Sequence, residues 1–142
     1  MVATLLWLAA LMQGGQSSLA NLGLRLGESV AFTVRGECMH GLDSGRSVRV
    51  CKQWFYLPGD VVVVRRRDHW NTHRFLGYAA TVRGIVALTQ ADDAGERDPA
   101  APASAVVGRV QCGVTASQRV TAWGKYARAL VRRLAEASRW PR

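Results

Sequence analysis

The stretch Leu57-Pro58-Gly59-Asp60-Val61-Val62-Val63-Val64-Arg65 decides how this chain is read. Pro58-Gly59-Asp60 has turn chemistry, since proline presets φ, glycine accepts conformations other residues avoid, and aspartate bonds its own backbone. The valines that follow are β-branched and stiff at χ1, which predicts a strand from Val61 to Arg65.

Further strand candidates lie on both sides: Ser47 to Lys52 before the turn, then His73 to Ala80, Val82 to Leu88 and Val106 to Gln111, each rich in Val, Ile, Phe or Tyr. Upstream, Val30, Phe32 and Val34 alternate with Ser29, Ala31 and Thr33, the period of two that gives a strand one buried face. The β-rich domain is therefore expected over residues 29–112. Within it, Thr89 to Ser104 is acidic and then Ala/Pro-rich, and Pro99 and Pro102 lack the donor a strand ladder needs, so a surface loop is expected there.

Both ends read as helical. Ala3 to Gln13 is apolar nearly all round and stops at Gly14-Gly15, and a second short helix follows Ser17-Ser18, with Leu19, Leu22 and Leu26 near helical spacing before Gly27. Together they form an N-terminal helical segment over residues 1–28. The apolar run Val2 to Met12 is much shorter than the ~20 residues a membrane-spanning helix needs. No Lys or Arg precedes it as a secretory leader requires, so a cytoplasmic location is expected.

At the other end, within residues 113–142, Val120, Trp123, Ala127, Leu130, Val131 and Leu134 recur at three- and four-residue intervals among Arg119, Arg128, Arg132 and Arg133. This predicts an amphipathic basic helix from Gln118 to Trp140, weakened by Gly124. Such a helix suits either an anionic membrane surface, in peripheral attachment, or packing on the β domain.

The chain has 142 residues, enough for one domain with attached helices, and a formal charge of +9 that suits nucleic acid, anionic lipid or acidic peptide without choosing among them. Arg65-Arg66-Arg67 is its densest charge run. The three cysteines, Cys38, Cys51 and Cys112, have no CxxC spacing, which points away from a zinc site or a complete disulfide framework. Cys51 and Cys112 fall on strands and read as buried thiols. No metal and no cofactor is expected.

Cys38 stands apart. It sits in Gly36-Glu37-Cys38-Met39-His40-Gly41, a glycine-flanked turn after a strand, where a substrate carbonyl can approach a thiol. A thiol nucleophile needs a group that takes its proton, and spacing alone leaves His40, His69 and His73 open.

Six segments in order carry a resemblance. They are Gly36-Glu37-Cys38-Met39-His40-Gly41-Leu42, Gly45-Arg46-Ser47-Val48, Leu57-Pro58-Gly59-Asp60-Val61-Val62-Val63, Thr72-His73-Arg74, Leu88-Thr89-Gln90-Ala91-Asp92 and Val107-Gly108-Arg109-Val110. Their sequence resembles the block order of the LexA and type I signal peptidase superfamily over about half the chain. The first segment is similar to the Gly-x-Ser-Met-x-Pro turn of that family, with Cys38 for its serine and Gly41 for its proline. Thr72-His73-Arg74 is similar to the histidine-bearing block of its archaeal and endoplasmic-reticulum branch.

The resemblance implies a mainly β, coiled-sheet fold with short N-terminal helices and a C-terminal amphipathic helix. It implies a catalytic set of Cys38 as nucleophile, His73 as base and Asp92 as the carboxylate orienting the imidazole, with Asp98 and then Asp93 in reserve. Met39 and His40, beside the nucleophile, are the expected substrate-binding residues. Cysteine with histidine is chemically coherent, because a thiol ionises far more readily than a hydroxyl. The function implied is a signal-peptidase-like cysteine endopeptidase acting on a precursor or leader peptide, with nucleic acid not expected as a partner. Self-cleavage near Gly14-Gly15 or Ala20-Asn21 ranks below cleavage in trans. The competing reading is a catalytically inactive peptide- or partner-binding module of the same fold, since changes at the serine and proline positions also accompany loss of activity.

Overall fold

The structure is a computed structural model that describes residues 28–33, 39, 42, 44–67 and 69–138. The helices expected over residues 3–13 and 17–26 lie outside the described residues.

The described chain is mainly β, as its Val-rich segments require. Its elements are β1 (Ser29–Thr33), β2 (Ser47–Cys51), β3 (Val61–Arg65), β4 (Trp70–Thr81), β5 (Gly84–Gln90), β6 (Ala101–Pro102), a 3-10 turn (Ala103–Ala105), β7 (Val106–Val110) and α1 (Ala116–Ser138). The strands form one curled antiparallel sheet in the order β1-β2-β7-β3-β4-β5-β6, a half-barrel against which the C-terminal helix α1 packs.

β3 lies in the middle of this sheet, between β7 and β4. That position explains its four valines, all buried: a central strand covered on both faces reads as a continuous apolar run. Val61 and Val63 join Met39, Leu42, Val48, Val50 and Val110 on one side of the sheet. Val62 and Val64 join Tyr56, Phe75, Ala87 and Val106 on the other. Burying each such valine contributes about 1.5–3 kcal/mol.

The Pro58-Gly59-Asp60 turn ties β3 to both β4 and α1. Phe75 N–H donates to Asp60 O at 2.7 Å and Gly59 N–H to Phe75 O at 2.9 Å, extending the β3–β4 ladder into the turn. The buried Asp60 carboxylate accepts from Leu57 N–H at 2.9 Å and from Arg119 Nη2 of α1 at 3.0 Å. Gly59 has φ +98, and a Cβ there would come within 2.9 Å of Arg119 Cγ, so conformation and proximity both call for glycine.

The helix packs through Ala122, Tyr126 and Ala129 against Leu76, Ala79 and Leu88. Tyr126 lies over Gly77, where a Cβ would collide with its ring, and its hydroxyl donates to Tyr78 O at 2.6 Å. The helix starts at Ala116, two residues before the expected Gln118, because Thr115 caps it. Gln118 N–H donates to Thr115 Oγ1 and Thr115 N–H to Gln118 Oε1, a reciprocal capping box. Gly124 does not interrupt it.

The expected loop over Thr89 to Ser104 is corrected in part. Thr89 and Gln90 are the buried end of β5, and Ala101 and Pro102 return to pair with Ala87 and Val86 at the sheet edge. Pro102 is accommodated because an edge strand has a side on which no donor is needed. The return is fastened by Asp98 N–H to Thr89 O at 2.9 Å and by Arg66 Nη2 to Pro99 O at 2.8 Å.

Candidate active site

Alternation along β4 sends neighbouring side chains to opposite faces. His73 pairs across with Val62 and shares the Phe75 side of the sheet, whereas Arg74 pairs with Val61 on the side that holds Met39 and Leu42. The 91–98 segment after β5 supplies a carboxylate to each.

On the first face, His73 Nδ1–H donates to Asp98 Oδ2 at 2.6 Å, with the two side chains only 12% and 15% exposed. Thr89, two strands over from Val62, donates its Oγ1–H to the same Asp98 oxygen at 2.6 Å. Burial alone would raise the Asp98 pKa, but the hydrogen bonds from His73 and Thr89, with the positive charge of Arg66, hold it below the usual carboxylate range. The ionised carboxylate fixes the imidazole orientation and the Nδ1–H tautomer, leaving Nε2 without a hydrogen-bond partner among the described residues.

On the second face, Arg74 donates Nε and Nη2 to the two oxygens of Asp92 at 2.6 and 2.7 Å, and Nη1 to Gly59 O at 2.8 Å. The carboxylate expected to orient His73 is thus engaged by Arg74. Asp98, expected in reserve, occupies the place at the imidazole. Asp93 is exposed on the turn between them.

Cys38 and His40 lie outside the described residues, and His69 is exposed before β4. Met39 is buried in the core with Leu42, Val61 and Val63, so of the two expected substrate-binding residues the described one is a packing group. Beside it runs a cleft of about 380 Å³ lined by Leu42, Arg46, Arg49, Arg74 and Cys112 among others. The Cys112 thiol is half-buried, and burial pushes its pKa up, which makes it a poor nucleophile. Cys51 is also free and half-buried.

Sequence reasoning missed an apolar cleft on the His73 side, formed by Trp54, Phe55, Tyr56, Tyr78, Ile85 and Val106. Trp54 is 83% and Phe55 64% exposed, unusual for aromatics of this size. The Trp54-Phe55-Tyr56 run of aromatics before the Pro-Gly-Asp turn was its visible signal. Among the described residues no three His, Cys, Asp or Glu side chains converge on a metal site, and no helix is long and apolar enough to cross a membrane.

No protein-family model, curated protein or solved structure matches the chain.

Proposed function

We propose that the protein is a signal-peptidase-like cysteine endopeptidase in which the His73–Asp98 dyad activates Cys38. The observation that carries this reading is the buried 2.6 Å bond from His73 to an ionised Asp98 that also holds Thr89. This is the orienting half of a nucleophile–histidine–carboxylate apparatus, with the second imidazole nitrogen unengaged among the described residues.

In the proposed reaction His73 Nε2 takes the Cys38 thiol proton, and the thiolate adds to a peptide carbonyl. The tetrahedral intermediate collapses as the imidazolium returns that proton to the departing amine, leaving a thioester. Water, deprotonated by the same nitrogen, then releases the acid and regenerates the thiol. The substrate would lie extended beside the sheet, with an apolar side chain in the Trp54–Phe55 cleft on the dyad's side.

The test is cleavage of a diverse peptide library by the purified chain, with the cut bonds mapped by mass spectrometry. Cleavage is expected in the native protein and absent in Cys38→Ala and His73→Ala variants that keep the native melting temperature. A Cys38→Ala variant that still cuts the same bonds would overturn the proposal.

One observation favours the inactive binding module instead. Met39, next to Cys38 in sequence, and Leu42 pack beside Val61 and Val63 on the sheet side opposite His73. In that reading the arginine-lined cleft beside Leu42 is the binding surface, and the library stays uncut while peptides still bind.

A further inference from the structure

Gln90, at the end of β5, pairs with Arg74 and lies on the helix side of the sheet, opposite its neighbour Thr89. There the 95–97 turn and α1 enclose a cleft of about 360 Å³, lined by Gln90, Glu96, Arg97, Lys125, Arg128 and Arg132 among others. Four cations face one carboxylate, a local formal charge of +3. Lys125, Arg128 and Arg132 sit at helical spacings of three and four, so they project from one face and repel each other.

None of the four cations is ion-paired among the described residues. Arg97 Nη1 is buried and has no hydrogen-bond partner, the single side-chain atom of that kind among the described residues. A buried donor left unmade costs about 1–3 kcal/mol, more when charged, and native proteins seldom leave one without an ion, water or ligand to meet it.

We infer that this cleft is a binding site for a phosphate group. A phosphate dianion offsets most of the excess charge, and its oxygens suit the planar donor forks of three arginines. The cleft is on the opposite side of β5 from the His73–Asp98 dyad, so the site stands whether or not the protein is a peptidase.

The test is titration of the full chain with inorganic pyrophosphate at low salt, followed by calorimetry or amide chemical shifts. Saturable binding that weakens as salt is raised is expected. Arg97→Gln and the double variant Arg128→Gln/Arg132→Gln should each weaken it about tenfold or more, the loss of at least one charge-assisted hydrogen bond. Arg83→Gln, on the distant β4–β5 turn, should leave it unchanged, and melting curves confirm that each variant folds.

Vesicles carrying phosphatidic acid in phosphatidylcholine identify the source of the phosphate. Vesicle binding that the same variants abolish assigns a lipid headgroup, and pyrophosphate binding without vesicle binding assigns a soluble phosphate compound. No saturable pyrophosphate binding at low salt, or equal affinity in Arg97→Gln, would overturn the inference.

Discussion

His73 and Arg74 are adjacent on β4 and face opposite ways, yet each takes a carboxylate from the same short segment after β5. The Arg74–Asp92 pair is closed: two parallel bonds to the carboxylate and a third to Gly59 O tie β4, the 91–98 segment and the Pro-Gly-Asp turn together. The His73–Asp98 pair is open, because Asp98 holds one ring nitrogen and leaves the other without a partner among the described residues. A pair with a bond on every guanidinium nitrogen and on both carboxylate oxygens serves chiefly to hold the fold. A half-satisfied imidazole beside a fixed carboxylate has capacity left for chemistry.

Breaking the closed pair should have the largest effect. Asp92→Ala strands a guanidinium that is about nine-tenths buried, and loss of a partner from a buried pair costs about 3–5 kcal/mol. Urea titration should show this as a lower midpoint at unchanged slope. A loss below about 1 kcal/mol would mean that Arg74 finds water or another acceptor.

The open pair should matter less to stability and should depend on pH. Asp98→Asn replaces a charged acceptor and should cost about 1.5 kcal/mol at neutral pH, the worth of a charge-assisted hydrogen bond. The Asp98 pKa is lowered in the folded state, so its contribution is present above the unfolded value and is lost as pH falls through the folded one. The stability gap between native protein and Asp98→Asn should therefore be constant above about pH 5 and close in more acidic solution. A gap that widens in acid would reverse the assigned sign.

Much of this was legible in the sequence. Four valines after a Pro-Gly-Asp turn mark a strand by composition alone, while its central place in the sheet and the opposite faces of His73 and Arg74 emerge from the pairing of β3 and β4. The choice between Asp92 and Asp98 was not legible. Both follow the same strand, and which one meets the imidazole depends on the path of the 91–98 turn and on the Thr89 bonds that draw Asp98 across β5. β6 was hidden because Pro102 argues against a strand unless the edge position is known. The Thr115-x-x-Gln118 box did stand in the sequence, one turn ahead of the apolar pattern from which the helix was read.

The proposed action of His73 on Cys38 is tested most directly by the pH profile of Cys38 alkylation. Iodoacetamide modification of that one cysteine, quantified by peptide mass spectrometry, should proceed in the native protein well below the ordinary thiol pKa of about 8.5, because a nearby imidazolium stabilises the thiolate. In His73→Ala the profile should move up to the ordinary thiol range, with the rate near neutral pH falling about tenfold or more. Superimposable profiles in the two proteins would contradict the account.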